Sequence, residues 1–128
     1  MSNLNTSNKT NVVSAINEAN SIRSNVIRPC SITGNNTSSV KIDTGIGVGN
    51  YGAKCGLLLI SGRDQWQNAI RVLTMVMVPD GTSQTPSLTK IAGDSPTISV
   101  ANENGKAVVT VLSSYGISLN ATIIVAPY

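Results

Sequence analysis

The groups in this sequence that could act on a substrate or hold an ion are six carboxylates, two cysteines and nine basic side chains, with no histidine among them. Without histidine, a Ser-His-Asp or Cys-His nucleophile cannot be assembled. Glycosidic cleavage needs two carboxylates facing each other across a cleft. Glu18, Asp43, Asp64, Asp80, Asp94 and Glu103 fall mostly in predicted turns or on a helix surface. Asp80 and Asp94 precede turn residues, where an aspartate serves by bonding its own backbone. The expectation is a protein that is not an enzyme, with no catalytic residue and no cofactor. Cys30 and Cys55 have neither a second cysteine pair nor a histidine beside them, so no metal site is expected. Cys55 opens an apolar run and reads as a small core residue, while a Cys30–Cys55 disulfide stays open. Gly47-x-Gly49-x-x-Gly52 matches a dinucleotide-binding pattern by letter. That pattern needs a helix after it, and the stretch 53–60 reads as a strand, so these glycines are assigned to bulges and turns.

The side chains with the chemistry of a contact surface lie in the connection 61–66. Arg63 and Asp64 sit there beside Trp66, the only tryptophan. An indole offers a large apolar face and one N–H in a rigid group, as contact anchors do. Arg63, Asp64 and Trp66 are therefore candidate receptor contacts, together with the loop 79–86. The alternative is that Trp66 plugs the edge of the core. The net charge of +3 comes from basic residues scattered between Lys9 and Lys106, without the clustered footprint of a nucleic-acid partner. Charged residues make up 12% of the chain, against the ~25% usual in soluble domains, and Asn, Ser and Thr supply the polar surface instead. No apolar run approaches the ~18 residues of a membrane span, so no membrane insertion is expected. The first ten residues are polar, so no signal-peptide pattern leads the sequence as given.

These groups need a scaffold, and the stretch 67–78 supplies its centre. It is dense in β-branched residues and stopped by Pro79-Asp80-Gly81. Alternation puts Ile70, Val72, Thr74, Val76 and Val78 on one face, and Ala69, Arg71, Leu73, Met75 and Met77 on the other. Both faces are largely apolar and both need cover. A second copy of the chain is the simplest cover for one of them, with Leu73, Met75 and Met77 at the interface; burial by its own chain is the alternative. Upstream, Thr10 can cap a helix in which Val12, Ala15, Ala19, Ile22 and Val26 form a heptad seam, widened by Ile16 and ended by Pro29. That seam is the other candidate oligomer interface. After Pro29 the period falls to two. About eight short strands follow with frequent turn signals, among them Asn104-Gly105 between 97–101 and 106–112. The predicted fold is mainly β: a short N-terminal α-helix, then an antiparallel, jelly-roll-like β-sandwich head. Residues 1–29 form the attachment and oligomerising segment and 30–128 the head.

Leu4-x-Thr6-x-x-Lys9-Thr10-x-Val12-Val13-x-Ala15-Ile16-Asn17-Glu18 resembles a segment that recurs in bacteriophage fibre and other virion proteins, where it opens a short helix, often beside a trimer axis. The motif covers about a seventh of the chain. Ala19 departs from it, since a larger aliphatic residue is common there. The resemblance implies a structural protein of the phage particle surface, a small homotrimeric fibre or appendage on head or tail. Its partners would be copies of itself and other virion proteins. An adhesin whose head loops bind a host-surface glycan or protein is the alternative. A free carbohydrate-binding module is a third reading, and the low aromatic content argues against it.

Overall fold

The computed structural model describes residues 12–18, 26–49, 54–79 and 85–126. Residues 12–18 are helical, and eight strands follow: β1 (Ile27–Pro29), β2 (Ser31–Thr33), β3 (Thr37–Gly47), β4 (Lys54–Asp64), β5 (Ala69–Val78), β6 (Ser87–Gly93), β7 (Thr97–Glu103) and β8 (Lys106–Val125). The chain is mainly β, as its alternation predicts, and every pairing is antiparallel. β1 belongs to the sheet although the predicted helix would run through it. Val26 is helical, and Ile27–Pro29 pair with Thr122–Ile124. Pro29 is tolerated there because β1 is a three-residue edge strand.

The expected two-sheet sandwich takes another form. All eight strands join one open sheet in the order β2-β3-β8-β4-β5-β6, with β1 and β7 also paired to β8. The reason lies in β8, which sequence reading divides into 106–112 and 117–126. Ser113-Ser114-Tyr115-Gly116 looks like a turn, yet burial stays in phase across it: Ala107, Val109 and Val111 before, Ile117, Leu119, Ala121 and Ile123 after. The strand therefore runs on for 20 residues. It is bulged rather than broken. From Ser39↔Leu112 to Thr37↔Ile117, β3 advances two residues while β8 advances five. The first half of β8 lies between β3 and β7 and the second pairs with β4 and β1.

One core covers one side of the sheet. Val40, Ile42 and Ile46 of β3, Leu58 and Ile60 of β4, Val72, Val76 and Val78 of β5 and the seven β8 residues just named form a single buried cluster. Buried hydroxyls within it are bonded. Thr74 Oγ1 donates to Thr89 O at 3.0 Å, and Thr44 Oγ1 donates to Ala107 O at 2.6 Å. Of the glycines assigned to bulges and turns, Gly47 ends a register shift in β3 and Gly49 takes φ 99° just beyond it, while Gly52 lies outside the described residues. Gly45 sits at φ 72° in a β3 bulge, its N–H donating to Asp43 Oδ1, and Asn104 and Gly105 both take positive φ in the β7–β8 turn. Cys30 and Cys55 are free thiols. Burial pushes the Cys30 thiol up to about 11, with Arg28 opposing and Asp43 adding.

Candidate functional site: an aromatic pair beside a polar groove

Four segments meet at one end of the sheet: the β2–β3 turn, the β4–β5 loop, the β6–β7 connection and the bulge of β8. Each is tied down by backbone chemistry. In the β4–β5 loop, Gln67 N–H donates to Asp64 O and Asp64 N–H to Asn68 O, both at 3.0 Å. Asp64 Oδ1 accepts the N–H groups of Trp66 and Asn68, each at 2.9 Å, and Oδ2 accepts Asn68 Nδ2 at 3.0 Å. The Asn68 side chain, foremost, holds the Asp64 carboxyl below its ordinary range; desolvation opposes it, and the backbone N–H groups of Asn68 and Trp66 add to the lowering. Arg63 Nη1 donates to Gln67 O at 3.3 Å. The β2–β3 turn is bound to β8 by Asn35 Oδ1, which accepts Leu119 N–H at 2.9 Å, and by Asn36 N–H, which donates to Ile117 O at 2.8 Å.

On this base stand two aromatic rings. Trp66 and Tyr115 meet edge to face, centroids 4.1 Å apart and planes at 77°. They are 54% and 48% exposed. Trp66 therefore does not plug the core. It stands out from a rigid loop and leans on a partner supplied by the β8 bulge. Beside the loop runs a groove of about 590 Å³, lined by Asn36, Arg63, Gln65, Gln67, Ser118 and Asn120, with Gly62 and Gly116 in its walls. A side chain at Gly62 would place its Cβ 2.0 Å from Ser118 O, so β4 and β8 approach too closely there for any other residue.

Of the candidate contacts, Arg63, Asp64 and Trp66 thus share one loop, and Asp64 organises it with both carboxylate oxygens engaged. Of the loop 79–86, only residues 79, 85 and 86 are described. β5 carries the chain to the opposite end of the sheet before residue 79. Tyr115, Asn36 and Asn120 are not legible as site residues because they converge from separate segments, whereas Gln65 lies within the favoured loop 63–66 and Gln67 just beyond it.

The candidate oligomer interface divides. On β5, Val72, Thr74, Val76 and Val78 face the core, while Leu73 and Met75 are half-buried and Met77 is 45% exposed on the outer side. Register aligns Ile27, Ile124, Leu57 and Met75 in one row across four strands, with Leu59–Leu73 and Cys55–Met77 beside it. The result is a continuous apolar outer surface. In the helical segment Val12 is half-buried and Ala15 exposed, as are Val13 and Ile16. Val26 is half-buried next to β1, and Ala19 and Ile22 lie outside the described residues.

No protein-family model matches the chain. No curated protein matches it either. Solved structures similar to it include a tailspike protein of Acinetobacter baumannii bacteriophage Fri1, described as a capsular polysaccharide depolymerase, at 13% identity and a TM-score of 0.45. Another is the tailspike protein of Acinetobacter baumannii phage AM24, at 11% identity and a TM-score of 0.41. Each likeness covers 77% of this chain but only 16% and 26% of those proteins. Likeness at that level transfers neither fold nor activity. It does correct one expectation. The Fri1 protein is by its description an enzyme, so the expectation of no enzymatic activity is withdrawn. The physical reason is that missing histidines exclude only histidine-dependent sites, whereas carboxylates alone can cleave a glycosidic bond.

Proposed function

We propose that the protein is a structural subunit of a bacteriophage particle, a small homotrimeric fibre or appendage carried on the virion surface at the head or tail. The observation that carries this reading is the apolar outer face centred on Leu57 and Met75. A single subunit leaves Ile27, Leu57 and Ile124 of that row 38–50% exposed and Met75 half-buried, and a contiguous patch of this kind marks an interaction surface. Copies of the same chain are the occupant: the patch is uncharged and continuous across four strands, and covering it recovers free energy comparable to the cost of association, as worked out below. The Lys9-Thr10…Ala15-Ile16-Asn17-Glu18 resemblance supports the phage assignment, and the helix it opens joins the same assembly. The division into an N-terminal segment 1–29 and a head 30–128 belongs to this proposal, with β1 docking the segment to the sheet.

The second reading is that the subunit is also an attachment protein contacting the host surface. Polarity favours it. Ile27, where the N-terminal segment enters the sheet, pairs with Ile124, whereas Trp66 lies beside the Asp64↔Ile117 pair. Seven residues of strand at ~3.3 Å each put about 23 Å between the two ends. One end can bind other virion proteins while the other faces outward. Light scattering at micromolar concentration tests the assembly: three times the 13.3 kDa chain mass is expected, and a monomer overturns it. Gold-labelled antibody on intact particles tests the location.

A further inference from the structure

We propose that the groove beside Trp66 and Tyr115 is a saccharide-binding site: a sugar ring lies against the exposed aromatic faces, and its hydroxyls bond Gln65, Gln67, Asn120 and Arg63. This deepens the attachment reading, on which it rests, by naming the class of ligand. Three observations lead to it.

The first is the aromatic pair. Two half-exposed rings held 4.1 Å apart by a loop and a strand bulge form an apolar platform that the core does not use; they flank the groove rather than line it, since their chain neighbours Gln65, Gln67 and Gly116 form its wall. A pyranose ring has an apolar C–H face and a rim of hydroxyls, and only the face suits such a platform.

The second is the chemistry of the groove. Its size falls within the range of small-ligand clefts, but such clefts are mostly apolar and this one is lined by amides, a hydroxyl, a guanidinium and the Asp64 carboxylate. An amide presents a donor and an acceptor together, as hydroxyl recognition requires. Within the groove Asn36 Oδ1 accepts Ser118 Oγ at 2.7 Å. Asn35 and Asn68 are engaged in holding turns. The side chains of Gln65, Gln67 and Asn120 have no hydrogen-bond partner among the described residues and all three line the groove.

The third is backbone strain. Gln67 has φ 69°, the left-handed position of a three-residue hairpin loop, where glycine is ordinary. A glutamine there is unfavourable, and such strain concentrates at functional positions. Three described non-glycine residues have positive φ, and two of them, Asn36 and Gln67, line this groove. Gln67 neither packs in the core nor bonds a neighbour through its side chain, so the structure gives its amide no other role.

Trp66 is the only tryptophan, so its fluorescence reads this site alone. The test applies the full-length protein to an array of bacterial surface saccharides, then titrates the best-binding saccharide while following Trp66 emission. The expected result is a saturable emission shift and at least a tenfold loss of affinity in both Tyr115→Ala and Gln67→Gly. Gln67→Gly also raises Tm, because glycine relieves the left-handed backbone, so its loss of binding cannot be a loss of fold. Saccharide binding that survives both substitutions overturns this site and leaves attachment standing. Absence of any saccharide binding overturns the proposal. In that event, adhesion to bacterial cells that protease treatment abolishes identifies a protein partner and keeps the attachment reading. Absence of adhesion to any cells overturns that reading too.

Discussion

Met75→Asp separates assembly from folding. Met75 sits on the outer side of β5, paired across strands with Leu57 and Thr89. Around it Ile27, Leu57, Leu59, Met77 and Ile124 are 38–50% exposed in one subunit. Together they leave the equivalent of about two full side chains bare. At ~1.5–3 kcal/mol per side chain, covering them contributes about 3–6 kcal/mol per subunit, or about 6–12 kcal/mol per pair. Losing translational and rotational freedom costs about 4–15 kcal/mol, so the patch roughly balances that cost, and micromolar association, which needs about 8 kcal/mol net, draws on the N-terminal segment as well. A carboxylate at its centre must be desolvated without a partner. That costs several kcal/mol and raises the dissociation constant about 100-fold or more. Within a single subunit the same aspartate faces water, and its cost is limited to lost strand propensity, about 1 kcal/mol. Sedimentation equilibrium should therefore show oligomer for the wild type and monomer for Met75→Asp, while circular dichroism shows the same β spectrum for both. A Met75→Asp protein that is unfolded, or one that keeps the wild-type mass, would refute the reasoning.

Trp66→Ala should cost about 1–2 kcal/mol in chemical denaturation, below the ~3–5 kcal/mol of a buried aromatic, because half of the ring is already in water. Gly62→Ala should destabilise by about 3 kcal/mol or more, since its Cβ meets Ser118 O and the Leu119 backbone rather than a movable side chain; a wild-type Tm would contradict that packing. The folded pKa of Asp64 lies below its ordinary 3.8, so its hold on the loop is complete above that value and fades as pH falls through the lowered one. Acid titration of Trp66 emission should accordingly have its midpoint below 3.8, and a midpoint above it would sink the assignment. With its pKa raised from 9.0 to about 11, Cys30 should be alkylated at pH 8 roughly 100-fold more slowly than a free cysteine, as peptide mapping of the labelled protein would read.

The inward residues of β5 could be read from alternation alone, because a period of two survives any tertiary context that buries one face. Asn104-Gly105 was equally legible, since few other residues accept two successive positive φ values. The continuity of β8 was not. Ser113–Gly116 has turn composition, and only the neighbouring strands decide whether the chain reverses or bulges there. Trp66 was visible as the lone indole, but its exposure depends on Tyr115, which lies 49 residues further along the chain. Gln67 carried no local signal at all. Its left-handed φ follows from the register of β4 against β5, and nothing in a glutamine announces it.

The long β8 also fixes how the molecule bears tension. A pull between Ile27 and Trp66 is directed along β8 and β4, parallel to the strands. Their shared ladder runs from Gly56↔Val125 to Asp64↔Ile117, so sliding one strand past the other loads its hydrogen bonds together instead of unzipping them singly. The weak link is β1, whose three pairs with β8 are the first to take the load. A subunit drawn in this direction gives way at its edge strand before its central strands part.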